Sequence, residues 1–149
     1  MKRRAIIVDL DGTLANCTHR LHYIKKKKKD WGGFYSEVSK DKVNEWCKAI
    51  LSRFEMDLHN TAILIVTGRR DTTREDTIIW LDKNKIPYDE LFMREYDDFR
   101  DDAIIKEELY KTEIKDKYSV LFVLEDRKRV VDMWRRLGLT VLQCAEGDY

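Results

Sequence analysis

The sequence lacks several features that mark particular classes of protein. It has only three cysteines, Cys17, Cys47 and Cys144, and no CxxC pair, so we predict neither a zinc site nor a disulfide framework. Its apolar runs all fall short of the roughly 20 residues that a membrane span needs. The apolar stretch behind the basic start is also too short for a signal peptide. We therefore expect a soluble, cytoplasmic protein with reduced thiols.

Further absences restrict the function. The net charge is only +1, so attraction to nucleic acid would have to come from local clusters of charge. None of the six glycines is followed by lysine, so the GxxxxGK[ST] phosphate loop is missing and no 5′-kinase activity is expected. No internal repeat and no linker rich in proline, glycine or serine divides the chain, which predicts a single domain spanning 1–149.

Continuous apolar runs alternate with helical patterns along most of the chain. Such runs are typical of strands that are covered on both faces, as in parallel sheets. The predicted strands are Ala5–Val8, Ala62–Val66, Val120–Leu124 and Leu139–Leu142. Apolar residues at helical spacing predict helices at Asp71–Asn84, Asp101–Lys111 and Arg127–Leu137. This alternation predicts an α/β fold, a three-layer αβα Rossmann-like sandwich around a mainly parallel sheet.

The segment between the first two predicted strands is long for a crossover, so we interpret roughly 15–60 as a small cap inserted after strand one. It includes a predicted helix around Val43–Met56. It also places the basic run Lys25–Lys29 beside three aromatic residues, Trp31, Phe34 and Tyr35. This combination fits a single-stranded nucleic-acid contact, and it fits equally a solvated charged face with aromatic residues that anchor the cap.

Polar residues follow three of the predicted strands directly. Asp9 and Asp11 follow the first, Thr67-Gly68-Arg69 the second, and Glu125-Asp126-Arg127 the third. Ligands of open parallel sheets bind in the crevice beyond the carboxyl ends of the strands, so we expect these groups to converge. Carboxylates suit Mg²⁺, and arginines suit bidentate phosphate recognition. The set indicates phosphoryl transfer, which depends mostly on positioning and electrostatics.

In order along the chain, the motifs DLDGT, VTGR, a lysine within DDAIIKEE and EDR resemble those of the haloacid dehalogenase superfamily of aspartyl-phosphate phosphatases. The longer stretches VTGRRDTTRED, RDDAIIKEELY and EDRKRVVDMWRRLGL are similar to the 3′-phosphatase domain of phage polynucleotide kinase 3′-phosphatases. The resemblance implies Mg²⁺-dependent removal of 3′-phosphate from DNA or RNA ends, with 3′-nucleotides as further substrates. It also implies a separate kinase or ligase as a partner.

The resemblance assigns roles to the residues of the first two motifs. Asp9 matches the nucleophile that becomes aspartyl-phosphate. Asp11 matches the acid/base that protonates the leaving oxygen and then activates water, and its main-chain carbonyl matches a metal ligand. Thr67 and Arg69 match the phosphate contacts of the second motif.

The resemblance also assigns the later residues. Lys106 matches the lysine of the third motif, with Asp102 as its orienting partner. Asp126 matches the metal-binding aspartate of the fourth motif, and Arg127 the arginine after it. Glu125 stands where the polynucleotide enzymes have aspartate, so its longer side chain is expected to contact the metal directly or through water. The expected Mg²⁺ ligands are thus Asp9, Asp11, Glu125 and Asp126.

Two other functions are consistent with the sequence. The first is a soluble 5′-nucleotidase of the same superfamily, since one fold serves many substrates. A basic open groove at the cap would favour polymer ends, and a closed pocket would favour mononucleotides. The second is a non-catalytic nucleic-acid-binding module that uses the lysine run. That alternative predicts that Asp9→Asn leaves the function unchanged.

Overall fold

The computed structural model describes all residues from Met1 to Tyr149. It contains seven strands: β1 (Arg3–Val8), β2 (Ala15–Asn16), β3 (Lys42–Val43), β4 (Ala62–Arg70), β5 (Glu90–Arg94), β6 (Tyr118–Glu125) and β7 (Val141–Gln143). It contains five α-helices: α1 (Trp31–Ser36), α2 (Glu45–Glu55), α3 (Arg74–Lys83), α4 (Asp102–Leu109) and α5 (Lys128–Arg136). None of these helices has the length and apolarity that crossing a bilayer requires.

Five parallel strands form the central sheet in the order β5-β4-β1-β6-β7. The side chains of β1 alternate between two buried clusters: Ile6 and Val8 lie in one, Ala5 and Ile7 in the other. Helices α2 and α3 cover the first cluster and α5 covers the second, on the face where α4 also packs. The predicted αβα layers and parallel sheet are confirmed.

The strand order places three strand ends side by side. From β1 the chain first builds β4 and β5 on one side and then crosses to β6 and β7 on the other. This reversal of direction makes the carboxyl ends of β4, β1 and β6 neighbours, and it opens a crevice between them. The three polar strand ends of the sequence therefore meet.

The structure differs from the predicted elements at several points. Strand β5 was not predicted, because its five residues alternate between buried and half-buried at the edge of the sheet and give no continuous apolar run. The short antiparallel pair of β2 and β3 and the six-residue α1 were also not predicted. The four predicted strands and the four predicted helices all have counterparts, displaced by a few residues at their ends.

The inserted segment has two parts. Helix α2 packs on the sheet, since its Cys47 and Leu51 are fully buried in the same cluster as Ile63. The part before it, residues 15–44, carries β2, a 3₁₀ helix at Thr18–Tyr23, α1 and β3. Residues 15–44 form the cap, because α2 belongs to a layer of the sandwich.

Candidate active site

Asp9 lies at the centre of the crevice, directly after β1. Its Oδ1 accepts a hydrogen bond of 2.8 Å from the ammonium group of Lys106. Its Oδ2 lies 3.4 Å from the Thr13 hydroxyl. Burial and the nearby carboxylate of Glu125 raise the pKa of Asp9 to about 8, although Lys106 acts in the opposite direction. The carboxylate thus lies where its charge is incompletely balanced.

Lys106 lies on α4 and connects this helix to the ends of β1 and β6. Its ammonium group, 1% exposed, contacts Asp9 at 2.8 Å, Glu125 Oε2 at 2.9 Å and Asp102 Oδ2 at 3.6 Å. Burial alone would lower the pKa of Lys106, but Asp102, Asp9 and Glu125 together raise it well above its usual value. The lysine is therefore a fixed positive charge at the floor of the crevice.

Three buried carboxylates form an acidic cluster beside this lysine. Oxygen atoms of Asp9, Glu125 and Asp126 lie within 4.8 Å of one another. The Thr13 hydroxyl connects two of them, at 3.4 Å from both Asp9 Oδ2 and Asp126 Oδ1. Burial and the neighbouring Asp9 raise the pKa of Asp126 to about 7. Such a buried excess of negative charge, made of hard oxygen donors, fits a divalent cation such as Mg²⁺.

Glu125 and Asp126 differ in how many hydrogen bonds their carboxylate oxygens already accept. Glu125 accepts from Lys106 through Oε2, and its Oε1 accepts from the amides of Asp126 and Arg127 at 3.2 and 3.3 Å. Asp126 Oδ2 lies 3.0 Å from the hydroxyl of Tyr149. That hydroxyl is also 2.8 Å from the main-chain oxygen of Asp11. Its single proton serves one of these two acceptors at a time.

The side chain of Asp11 has a different environment from that of Asp9. Its Oδ1 accepts hydrogen bonds from Arg20 at 2.6 Å and from Arg69 at 2.7 and 3.0 Å. Both guanidinium groups also contact Asp41 Oδ2, at 2.6 and 2.9 Å. Burial alone would raise the pKa of Asp11, but Arg69 and Arg20 hold it well below its usual range.

The end of β4 and the start of α4 approach each other closely. A Cβ atom on Gly68 would lie 2.0 Å from Asp102 Oδ1. That oxygen is buried and has no hydrogen-bond partner, although Arg94 Nη2 lies 3.5 Å from it. The other oxygen, Oδ2, lies 3.6 Å from Lys106 and 3.7 Å from Arg127. The Thr67 hydroxyl accepts from the amide of Arg69 at 3.1 Å, which leaves its proton free to donate.

The structure brings all the predicted site residues together. A small cavity of about 50 Å³ is lined by eight of them, and Lys106 contacts its floor through Asp9. Those eight are Asp9, Asp11, Thr67, Arg69, Asp102, Glu125, Asp126 and Arg127. Of the four expected Mg²⁺ ligands, only Asp11 has its carboxylate outside the acidic cluster, because the arginine pair binds it. Its main-chain oxygen faces Asp126 through the Tyr149 hydroxyl.

Sequence reasoning missed four residues of the site: Thr13, Arg20, Asp41 and Tyr149. Thr13 belongs to the DGT motif, so its position after the two aspartates was an available signal. Arg20 and Asp41 lie in the cap and meet Asp11 and Arg69 only through the fold. Neither stands out in the sequence, since both belong to segments with many charged residues.

We expect Gly68→Ala to displace Asp102 and disturb the lysine beside it. The new methyl group would overlap a carboxylate that Lys106 and Arg127 hold in place, and overpacking of this kind costs about 1–3 kcal/mol. Urea unfolding would measure the loss of stability. Gly32→Ala is the matched control, because its Cβ would have only an ordinary contact at 3.6 Å. Equal stability of the two variants would contradict the prediction.

Without divalent metal, we expect the free energy of unfolding to fall as the pH rises from about 4 to 8. The pKa values of Asp9 and Asp126 are raised from 3.8 to about 8 and about 7. The folded protein therefore holds protons that the unfolded chain has lost, and this stabilisation disappears as the pH passes the raised values. Denaturant titrations in EDTA would show a shallower pH slope in Asp126→Asn and an unchanged slope in the exposed control Asp97→Asn. A slope unaffected by Asp126→Asn would contradict this origin.

Comparison with known proteins supports a phosphatase. The model of the polynucleotide kinase PNKP phosphatase domain family, HAD_PNKP, matches residues 3–149. A protein of Autographa californica nuclear polyhedrosis virus, named a bifunctional polynucleotide kinase/RNA ligase, is 31% identical over 147 residues. That match covers 98% of this chain and 20% of the viral protein, so the chain spans about one fifth of this relative.

Solved structures agree with the family match. Chains of a Pnkp1/Rnl/Hen1 complex and of the Pnkp1/Rnl/Hen1 RNA repair complex are each 38% identical, with a TM-score of 0.87. Each match covers 99% of this chain, but only 48% and 44% of those chains. A haloacid dehalogenase-like hydrolase from Streptococcus pneumoniae shares the fold at 14% identity, with a TM-score of 0.64 over 94% of this chain and 83% of that one. The chain therefore belongs to the family of polynucleotide kinase phosphatase domains and is a phosphatase of the haloacid dehalogenase superfamily.

Proposed function

We propose that this protein is a Mg²⁺-dependent phosphomonoesterase that removes the 3′-phosphate from DNA or RNA ends through an aspartyl-phosphate intermediate. The observation that carries the proposal is the buried Asp9 carboxylate, held by Lys106 and bordered by Asp126, at the floor of a cavity with space for little more than a phosphoryl group. Membership of the phosphatase family supports the same chemistry.

The acidic cluster is the proposed Mg²⁺ site. The carboxylates of Asp9 and Asp126 and the main-chain oxygen of Asp11 would hold the ion, with Glu125 behind them because its oxygens already bind Lys106 and two amides. When bound, Mg²⁺ supplies positive charge to the phosphoryl oxygens and favours the ionised form of the cluster. Tyr149, which contacts both Asp126 and the Asp11 carbonyl, would yield those contacts to the ion.

The remaining steps use the chain's own residues. A carboxylate oxygen of Asp9 attacks phosphorus, the bond between phosphorus and the 3′-oxygen breaks, and Asp11 gives its proton to that oxygen. Asp11 then takes a proton from water, the water oxygen attacks phosphorus, and the bond to Asp9 breaks to release inorganic phosphate. Lys106 keeps Asp9 oriented, and the free hydroxyl proton of Thr67 donates to a phosphoryl oxygen.

The proposed role demands two protonation states of Asp11, and without substrate the arginine pair favours one of them. With the cavity empty of substrate, Arg20 and Arg69 favour its ionised form. A phosphate group carries negative charge into the cavity and competes for Arg69, and both effects raise the pKa of a neighbouring carboxyl. Asp11 would thus gain its proton when substrate binds and lose it again after the leaving group has departed.

A groove of about 310 Å³ that shares lining residues with the inner cavity supports polymer ends over 5′-mononucleotides as substrates. The names of the relatives point the same way, since they describe a polynucleotide kinase/RNA ligase and an RNA repair complex. We propose, accordingly, that a separate kinase or ligase acts on the same ends as this protein. The three cysteines are free thiols, consistent with the cytoplasmic location that we propose.

The test compares phosphate release from matched oligonucleotides that carry a 3′-phosphate or a 5′-phosphate, with Mg²⁺ and with EDTA. The corresponding mononucleotides serve as further substrates. We expect Mg²⁺-dependent release from 3′-phosphorylated substrates, because the carboxylates of Asp9, Glu125 and Asp126 leave a buried excess of negative charge that a divalent cation would offset. Release from 5′-mononucleotides alone would assign the protein to the nucleotidases, and release from none would refute both enzyme functions on these substrates.

Asp9→Asn should abolish turnover while the fold and substrate binding persist. The amide cannot act as nucleophile, and removing such a residue commonly costs about 10³-fold or more in kcat. Single-turnover assays and circular dichroism would measure the two effects. The exposed substitution Asp97→Asn should behave as the wild type. Full activity in Asp9→Asn would exclude the aspartyl-phosphate mechanism and favour a chain whose function is binding alone.

A further inference from the structure

A groove outside the inner cavity is lined by residues that the phosphatase chemistry does not use. We call it the outer groove. It shares six residues with the inner cavity, among them Tyr35, Arg94 and Arg127. The residues that line only the outer groove are Lys29, Arg70, Asp98, Phe99, Arg100, Asp101 and Arg129. Because the two spaces share these lining residues, they adjoin, and one strand could place its terminal phosphate in the inner cavity and its preceding nucleotides in the outer groove.

Arg70 differs from the other arginines of this groove in having no carboxylate partner. Its guanidinium group lies 4.8 Å from the ring centre of Phe99 and 5.9 Å from that of Tyr35, and its side chain makes no hydrogen bond or ion pair in the structure. The neighbouring Arg94, Arg100 and Arg129 each contact a carboxylate. Arg70 therefore offers five unused donors beside two aromatic faces.

Aromatic rings line the same wall. Phe99 is 75% exposed, and the guanidinium group of Arg70 lies over its ring. Trp31 and Tyr35 stack with ring centres 6.0 Å apart, and the ammonium group of Lys29 lies 5.6 Å from the Trp31 ring. Exposed rings interleaved with cations are the arrangement that binds single-stranded nucleic acid, since every base has a π-face to stack.

The balance of charge agrees with a polyanionic occupant. Six cations and three carboxylates line the outer groove, although the whole chain has a net charge of only +1. Of the basic run Lys25–Lys29, only Lys29 lines the groove. The local excess of positive charge therefore lies beside the cavity and comes mainly from arginines outside the lysine run.

We propose that the outer groove binds the single-stranded nucleotides immediately 5′ of the terminal 3′-phosphate. Phe99 stacks on the base of the penultimate nucleotide, and Arg70 binds the phosphate that joins this nucleotide to the terminal one, while its guanidinium plane remains against Phe99. A 3′-mononucleotide lacks both of these groups. The inference rests on the proposed function and adds to it that an unpaired end is the substrate. In a duplex the π-faces of the bases are covered by their neighbours, so Phe99 could not reach one.

The experiment measures kcat/KM on two substrates, a short 3′-phosphorylated oligothymidylate and thymidine 3′-monophosphate. Phe99→Ala and Arg70→Gln are the test variants. We expect each to lower kcat/KM on the oligonucleotide by about 5- to 100-fold, through KM, as loss of one base stack does. Hydrolysis of the mononucleotide should stay within about twofold, because neither residue lines the inner cavity. Arg70→Gln should also reduce the salt dependence of oligonucleotide binding by about 0.7 in the log–log slope.

Matched controls separate the groove from general effects. Tyr96→Ala removes another exposed aromatic residue, 62% exposed, that lies three positions from Phe99 and does not line the groove. Arg53→Gln removes an exposed arginine of α2. Both variants should match the wild type on both substrates. Equal losses in Phe99→Ala and Tyr96→Ala would overturn the proposal.

A direct binding measurement distinguishes the failure of this inference from failure of the proposed function. Fluorescence anisotropy of a labelled 3′-phosphorylated oligothymidylate reports binding without turnover. A wild type that binds the strand but releases no phosphate, with binding weakened in Phe99→Ala, would support the groove and refute the proposed activity. If the wild type is active and both variants keep its ratio of kcat/KM on the oligonucleotide to kcat/KM on the mononucleotide, the groove is refuted and the proposed activity stands. Tighter binding to a blunt duplex than to the single strand would also overturn the inference.

Discussion

The buried ammonium group of Lys106 is the interaction on which the rest of the site depends. It connects α4 to the ends of β1 and β6 through Asp9 and Glu125. A buried charge is tolerated only when it is paired, and removing one partner commonly costs about 3–5 kcal/mol. Here one lysine faces several carboxylates, so the region is incompletely neutralised in the protein alone. Burial and the neighbouring Glu125 raise the pKa of Asp9, and the same excess of buried negative charge prepares the site for a cation.

The two aspartates of the first motif illustrate how the fold separates chemical roles over two residues. Asp9 lies among carboxylates, and its pKa is raised; Asp11 lies between Arg20 and Arg69, and its pKa is lowered. Pairs of titratable groups whose environments shift their pKa values in opposite directions are typical of acid/base and nucleophilic partners. The cap supplies the second environment, since Arg20 comes from it and is held in place by Asp41. The sheet alone would leave Asp11 with only Arg69.

The sequence was sufficient for the layers of the fold and for the residues at the strand ends. Continuous apolar runs indicate strands that are buried on both faces. Parallel strands bring their carboxyl ends to one edge of the sheet, so Asp9, Thr67 and Asp126 could be placed together. Arg20 and Asp41 could not, because the contacts of Arg20 with Asp11 and of Asp41 with Arg69 depend on how the cap folds back over the sheet. Strand β5 was missed because an edge strand with alternating burial has a weak signal. Local patterns thus predict elements, whereas the polar network depends on tertiary packing.

The geometry divides recognition between two spaces. The inner cavity of about 50 Å³ is lined mainly by the predicted site residues. In the proposed function these residues act on phosphate, so selectivity for what is attached to the phosphate would come from the adjoining outer groove. Arg127 borders both spaces, with its guanidinium group 4.8 Å from the Tyr149 ring and 3.7 Å from Asp102. In the proposed function, a strand in the groove would contact Arg127, whose partner Asp102 lies 3.6 Å from Lys106. This would couple recognition of the strand to the position of Asp9.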